Sequence, residues 1–193
     1  DVVRKGNYDV EKPNSWSDDV LLKFAHDLRH LTKPMIIAAN KIDRDGSEAN
    51  LENLKSAYPE IMIVPCSADS ELALREASKV GLIEYVPGSS SFEIKGDVSD
   101  KQKGALEAIR ENVLKPYGST GVQNVLNGVV FDLLDYIAVY PASASKLADS
   151  KGNILPDCFL LKKGSTALDF AYKIHQDLGD NFIKAIDAIQ NKL

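Results

Sequence analysis

Apolar positions in the first half of the chain alternate between helical spacing and short unbroken runs. Leu21, Phe24, Ala25, Leu28 and Leu31 share one face, which predicts a helix over about 18–31, capped by Ser15 or Ser17 and broken by Thr32-Lys33-Pro34. Met35-Ile36-Ile37-Ala38-Ala39 then runs unbroken into the polar Asn40-Lys41-Ile42-Asp43, the pattern of a buried parallel strand. Ser47 opens a helix of about 48–57 with Leu51, Leu54 and Tyr58 inward. Ile61-Met62-Ile63-Val64-Pro65 is the next buried strand and ends in Cys66-Ser67-Ala68. A third helix, about 70–79, stops at Gly81. Helix, strand, helix, strand, helix is the order of an α/β fold with right-handed crossovers.

The pattern lapses over 81–98, where Pro87-Gly88-Ser89-Ser90-Ser91 reads as a loop. Ser99 and Gln102 form a capping box for a helix of about 100–115, with Leu106, Ile109, Val113 and Leu114 inward and Pro116 as its stop. Thr120 with Gln123 repeats that signal for a helix of about 121–134. These two helices form a connector. A strand follows at Tyr136-Ile137-Ala138-Val139-Tyr140, then a polar stretch with a turn at Ser150-Lys151-Gly152-Asn153, and a second strand at Phe159-Leu160-Leu161. Ser165 serves as a cap in the turn before a helix of about 166–177, which puts Leu168, Ala171, Ile174 and Leu178 inward and has Gly179 at its end. Phe182-Ile183-Lys184-Ala185-Ile186 is a third strand, completing a small α+β domain.

The 193 residues suit one ordinary domain and a small one, and no apolar run approaches the roughly 20 residues that span a bilayer. The net charge of −5 argues against wrapping nucleic acid by bulk charge, and DNA is not an expected partner. Residues 1–96 carry 12 basic and 16 acidic side chains and residues 97–193 carry 11 and 12, so the nearly neutral second half is better suited to approach a polyanion. Two cysteines, Cys66 and Cys158, exclude a disulfide framework or a cysteine zinc site. No secretory leader is visible, and a reducing cytoplasm is the expected compartment. The chain does not begin with Met and reads as a piece of a longer protein.

The chemistry concentrates at Asn40-Lys41-Ile42-Asp43, because open α/β sheets bind ligands at the carboxyl ends of their strands. An ionised Asp43 accepts from both the ring N–H and the exocyclic amino group of guanine, an edge that adenine lacks. Asn40 can bond the acceptor edge of the base and brace the loop, and the stem of Lys41 can lie along the base plane. One strand later, Ser67-Ala68 offers a backbone N–H from Ala68 to the guanine carbonyl, where a small side chain permits close approach. Asn40, Lys41, Asp43, Ser67 and Ala68 are therefore the candidate guanine-binding residues.

These motifs, together with Glu71-Leu72-Ala73-Leu74-Arg75, Tyr85-Val86-Pro87-Gly88, Tyr117-Gly118-Ser119-Thr120-Gly121-Val122-Gln123, Lys163-Gly164-Ser165-Thr166 and Asp169-Phe170-Ala171-Tyr172-Lys173-Ile174-His175, resemble the YchF-type branch of Obg-related GTPases in its archaeal form. The resemblance runs from about Ser15 to the end of the chain. It implies that 1–98 is the C-terminal part of a P-loop GTPase domain with the end of a helical insertion. It further implies connector helices over 99–135 and a β-grasp TGS domain over 136–193, truncated after Leu193. It also implies GTP as ligand, Mg²⁺ in the intact protein, and contact with ribosomes or RNA through the TGS domain. An alternative from another class is a non-catalytic TGS module that docks RNA or protein and carries a vestigial nucleotide site.

A Walker loop requires Gly-Lys followed by Ser or Thr, and the chain contains no Gly-Lys dipeptide. The phosphate- and Mg²⁺-binding half is thus expected upstream of Asp1, and no catalytic residue is assigned here. His26 and His30, four residues apart, lack a third ligand and are expected to be solvated. Ser165, Asp169 and His175 do not converge as a triad. Lys162-Lys163 reads as surface charge.

Overall fold

The computed structural model describes residues 2, 6, 8, 9, 11–141, 147–148, 151–155 and 157–187. They fall into two compact units, Asp1–Val129 and Val130–Leu193.

In the first unit α1 spans Asp18–Thr32, and the Ser17 hydroxyl accepts from the Val20 N–H as its cap. Strand β1, Ile36–Asn40, pairs in parallel with β2, Met62–Cys66, in a register that sets Ile36 opposite Met62 and Asn40 opposite Cys66. Helix α2, Ser47–Ala57, connects them, and α3, Ala68–Lys79, leaves the end of β2. The parallel pair joined by a helix is as the hydrophobic runs predict. Full burial is not: both strands are mostly half-buried, because the described sheet is only two strands wide. Leu51 of α2 is buried and Leu54 half-buried, but Tyr58 is exposed.

Helix α1 departs further from expectation, since none of its residues is buried and Leu21, Leu28 and Leu31 are exposed. Of its apolar stripe, Phe24 packs edge-on against Tyr8 and Trp16 at 5.1 Å. Among the described residues nothing else covers the stripe. An apolar stripe predicts a helix, but burial also needs an opposing surface.

The segment 81–98 is not a bare loop. Ile83–Glu84 (β3) and Glu93–Ile94 (β4) form a short antiparallel hairpin. Two-residue strands are too short for a period to register. The hairpin's apolar side carries the core: Ile83, Tyr85 and Phe92 pack with Leu74 of α3 and with Leu106 and Leu114. Those last two lie on α4, Asp100–Ile109, and on the π-helical turn Arg110–Leu114 that continues it. The Ser99–Gln102 capping box is formed, and Leu106, Val113 and Leu114 are buried. Pro116 does not stop the helix, which runs on through Lys115–Tyr117 and turns at Gly118. Pro116 follows the π-helical turn directly, in the last turn before Gly118. Helix α5, Val122–Asn127, passes into a second π-helical turn, Gly128–Leu133. Its cap position is Gly121, not Thr120.

The second unit contains β5, Tyr136–Val139, antiparallel to β6, Phe159–Lys162. The predicted turn at 150–153 falls partly outside the described residues; a bridge joins Ala148 and Ile154 across it. Helix α6, Ala167–Ile174, has a reciprocal cap between Thr166 and Asp169, so Thr166 rather than Ser165 fills that position. The predicted helix breaks at His175, which is extended, and α7, Gln176–Asp180, starts anew. That break moves Leu178 off the α6 face. Ala171 is buried, but Leu168, Ile174 and Leu178 are exposed, against the inward placement predicted for all four. Gly179 lies within α7 rather than after the helix. Residues 182–186 form no strand, because no described segment pairs with them.

Candidate functional site

The two loops predicted to act together do meet. Asn40, the last residue of β1, points its Oδ1 at two backbone donors, the Lys41 N–H at 2.8 Å and the Ala68 N–H at 3.1 Å. Two N–H donors on one atom fix it as the amide oxygen and leave Nδ2 to donate outward. Lys41 adopts φ 69°, a left-handed turn uncommon for a residue with a side chain. It turns the loop sharply while Ile42, 5% exposed, anchors it. The Ile42 N–H donates to the Cys66 carbonyl at 3.2 Å, and its own carbonyl accepts from the Ser47 hydroxyl at 2.7 Å.

Asp43 faces the second loop. The fully buried Ser67 donates its hydroxyl proton to Asp43 Oδ1 at 2.7 Å, and Arg44 Nε stands 3.5 Å from the other oxygen. A carboxylate has about four acceptor sites, so these contacts leave capacity for further donors. Ser67 also caps α3 by accepting from the Ser70 N–H at 3.3 Å. Ala68 is exposed, but its N–H is engaged by Asn40 rather than standing open. Four of the predicted residues are thus joined by direct bonds, and Lys41 joins them through its own backbone. Cys66 is buried with its thiol pushed up by burial, which suits a packing residue rather than a nucleophile.

Beneath this pair lies a polar cluster that sequence reasoning missed. Glu71, 4% exposed, accepts from Arg75 Nε at 2.6 Å, the Tyr85 hydroxyl at 2.8 Å and the Thr120 hydroxyl at 2.5 Å. Burial pushes its carboxyl up, but the bonds from Thr120, Arg75 and Tyr85 outweigh this and hold it below the ordinary glutamate value. Burial and the adjacent Glu71 raise the Tyr85 phenol. Thr120 reads in sequence as a helix cap; here it is fully buried with its hydroxyl on Glu71. Only the four-residue spacing of Glu71 and Arg75 on one helix hinted at a pair, and nothing local reveals a partner 49 residues away.

The weaker sequence candidates disperse. The His26 and His30 rings lie 4.7 Å apart, tilted by 51°, and no group of three or more His, Cys, Asp or Glu among the described residues could hold a metal. Asp169 is occupied by the α6 cap, and His175 Nδ1 accepts from the Asp177 N–H, so no triad with Ser165 forms.

Loops at the carboxyl ends of two parallel strands, cross-braced by their own side chains, belong to the ligand-binding edge of an α/β domain, and the fold around them is GTPase-like. Residues 38–143 match the Obg-like GTPase YGR210-like, G4 motif-containing domain, and residues 150–192 match the TGS domain. The chain belongs to this family of Obg-like GTPases. It is 46% identical over 179 residues to an uncharacterized GTP-binding protein of Methanocaldococcus jannaschii, covering 92% of this chain and 45% of that protein. An uncharacterized GTP-binding protein of Schizosaccharomyces pombe is 32% identical over 162 residues, covering 79% of this chain and 39% of that protein. The crystal structure of a GTP binding protein from Pyrococcus horikoshii OT3 superimposes with a TM-score of 0.68 at 43% identity, over 99% of this chain and 49% of that one. The chain therefore spans about half the length of the relatives it matches or less. No helix among the described residues is long and apolar enough to cross a membrane.

Proposed function

We propose that the intact protein is a GTP-binding, GTP-hydrolysing switch of the YchF-type branch, acting in the cytoplasm and contacting ribosomes or RNA through its TGS domain. In this reading 1–98 is the C-terminal part of the GTPase domain, 99–135 the connector and 136–193 the TGS domain, as the family motifs divide the chain. The observation that carries the guanine assignment is the double brace between the loops, Ser67 Oγ on Asp43 and the Ala68 N–H on Asn40. It holds a half-buried carboxylate, an outward amide donor and a backbone N–H beside one another, which is the donor–acceptor set a guanine edge requires. Asp43 accepts from the ring N–H and the exocyclic amino group, Asn40 Nδ2 donates to the acceptor edge, and the Ala68 N–H is shared between Asn40 and the base carbonyl.

The described residues do not fit Mg²⁺ or the phosphates. There is no Gly-Lys dipeptide, and the described residues offer no cluster of three candidate metal ligands. Phosphoryl transfer rests on positioning and neutralising phosphates, so the 193-residue chain alone is expected not to turn over GTP.

Competition binding on the intact protein tests the assignment. Inosine triphosphate lacks the exocyclic amino group and should bind about 10-fold more weakly than GTP, the loss of one hydrogen bond to a charged acceptor. ATP should not compete in the same range. Equal affinity for all three nucleotides would remove Asp43 from the site.

A further inference from the structure

We propose that residues 119–121 act as a positioning element for the base-recognition loop, clamped to it through the Glu71 carboxylate. The proposal rests on the guanine reading above and adds to it residues outside both loops.

The clamp has three contacts on one residue. The Ser67 N–H donates to the Thr120 carbonyl at 2.8 Å, the Ser67 carbonyl accepts from the Glu71 N–H at 3.1 Å, and the Ser67 hydroxyl bonds Asp43. Thr120 is held in turn by its hydroxyl on Glu71 Oε2, the oxygen that also receives Tyr85. Ser67 and Thr120 are both fully buried. With every polar group of Ser67 partnered, Thr120 helps to hold the residue from which the Ala68 N–H projects, together with the Glu71 N–H on the Ser67 carbonyl and Asn40 on the Ala68 N–H itself.

Backbone packing makes the same point. Gly121 has φ 79°, and a Cβ there would stand 1.9 Å from the Pro65 carbonyl oxygen and 2.8 Å from Cys66 Cα. The segment therefore lies directly against the end of β2, at a distance only glycine permits. A buried carboxylate is a poor way to gain stability, since its desolvation offsets most of what its bonds contribute. Its use here is geometric: it ties the start of α3, the Tyr85 turn and the 119–121 segment around one loop.

The test measures nucleotide affinity on the intact protein with GTP, inosine triphosphate and 6-thioguanosine triphosphate, which keeps the ring N–H and amino group but has a weakly accepting thiocarbonyl in place of the 6-carbonyl that the Ala68 N–H would meet. Wild type should prefer GTP over both analogues. Thr120→Val should reduce the preference over the 6-thio nucleotide about 3-fold, because the N–H is no longer aimed. The preference over inosine triphosphate, set by Asp43, should stay within about twofold. Thr120→Ser keeps the hydroxyl and should restore the lost preference. If Thr120→Val does not fold, Thr120→Ala reads the same point, since it removes the hydroxyl that bonds Glu71. A folded variant with both wild-type preferences would overturn the positioning role alone. Wild type without a preference for GTP over either analogue would overturn the base-site reading itself.

Discussion

The two compact units are secured by different means. In the first, the loops at Asn40–Asp43 and Ser67–Ala68 are bonded to each other, and Glu71 beneath them satisfies three side-chain donors, next to a core in which Leu74 is fully buried. In the second, only Leu161, Ala171 and Gly179 are buried among the described residues, while Leu168, Leu178 and Ile183 are exposed. A polar network that satisfies itself fixes geometry locally. An amphipathic face fixes nothing until something covers it. The candidate site lies in the unit with the first kind of order, which suits recognition that depends on where one N–H and one carboxylate point.

Truncating the core of each unit gives the sharpest contrast. Leu74→Ala should cost about 2–5 kcal/mol, because it opens a cavity at a fully buried position. Urea denaturation of the chain followed by signals from each unit measures it. A cost below about 0.5 kcal/mol, typical of surface sites, would mean that the core does not sit where described.

Glu71→Gln should have the next largest effect, about 1–3 kcal/mol at neutral pH, by mismatching one of the three donors on a buried carboxylate. The Glu71 carboxyl is held below its ordinary value of 4.5, so its contribution is complete above that value and fades as pH falls through the lower folded value. The stability gap between wild type and variant should therefore narrow in denaturation series run below about pH 4.5. A gap constant from neutral pH to pH 3 or below would show that folding does not lower the Glu71 value, against the bonded carboxylate seen here.

Ile174→Ala in the second unit should have the smallest effect, about 1 kcal/mol, since the side chain is already 37% exposed. A loss comparable to that of Leu74→Ala would show that α6 is covered by something beyond the described residues.

The same contrast explains what could be read from sequence. The parallel strands, their polar ends and the Ser99–Gln102 cap are local patterns, and the structure contains them. Leu106, Val113 and Leu114 were legible as core because a helical period survives into the π turn that holds Val113 and Leu114 well enough to keep one face. The β3–β4 hairpin was not legible, because a two-residue strand has no period. The Glu71 cluster depends on a contact between residues far apart in the chain, so Thr120 showed only its propensity to cap. The inward face of α6 and the strand at 182–186 failed for another reason: their patterns are present, but burial and pairing are properties of a neighbour. For the site, residue types and their adjacency were legible, whereas the prior engagement of the Ala68 N–H by Asn40 was not.

The most direct test of the central claim, that Asp43 reads guanine, is the affinity of the intact Asp43→Asn protein for GTP and for xanthosine triphosphate. Asparagine keeps an oxygen for the Ser67 hydroxyl, so the loop brace survives while the charge is lost. GTP should bind about 10–1,000-fold more weakly, through loss of charge-assisted bonds, and xanthosine triphosphate should bind more tightly because its extra carbonyl meets a donor. Unchanged GTP affinity, with no gain for xanthosine triphosphate, would contradict the account.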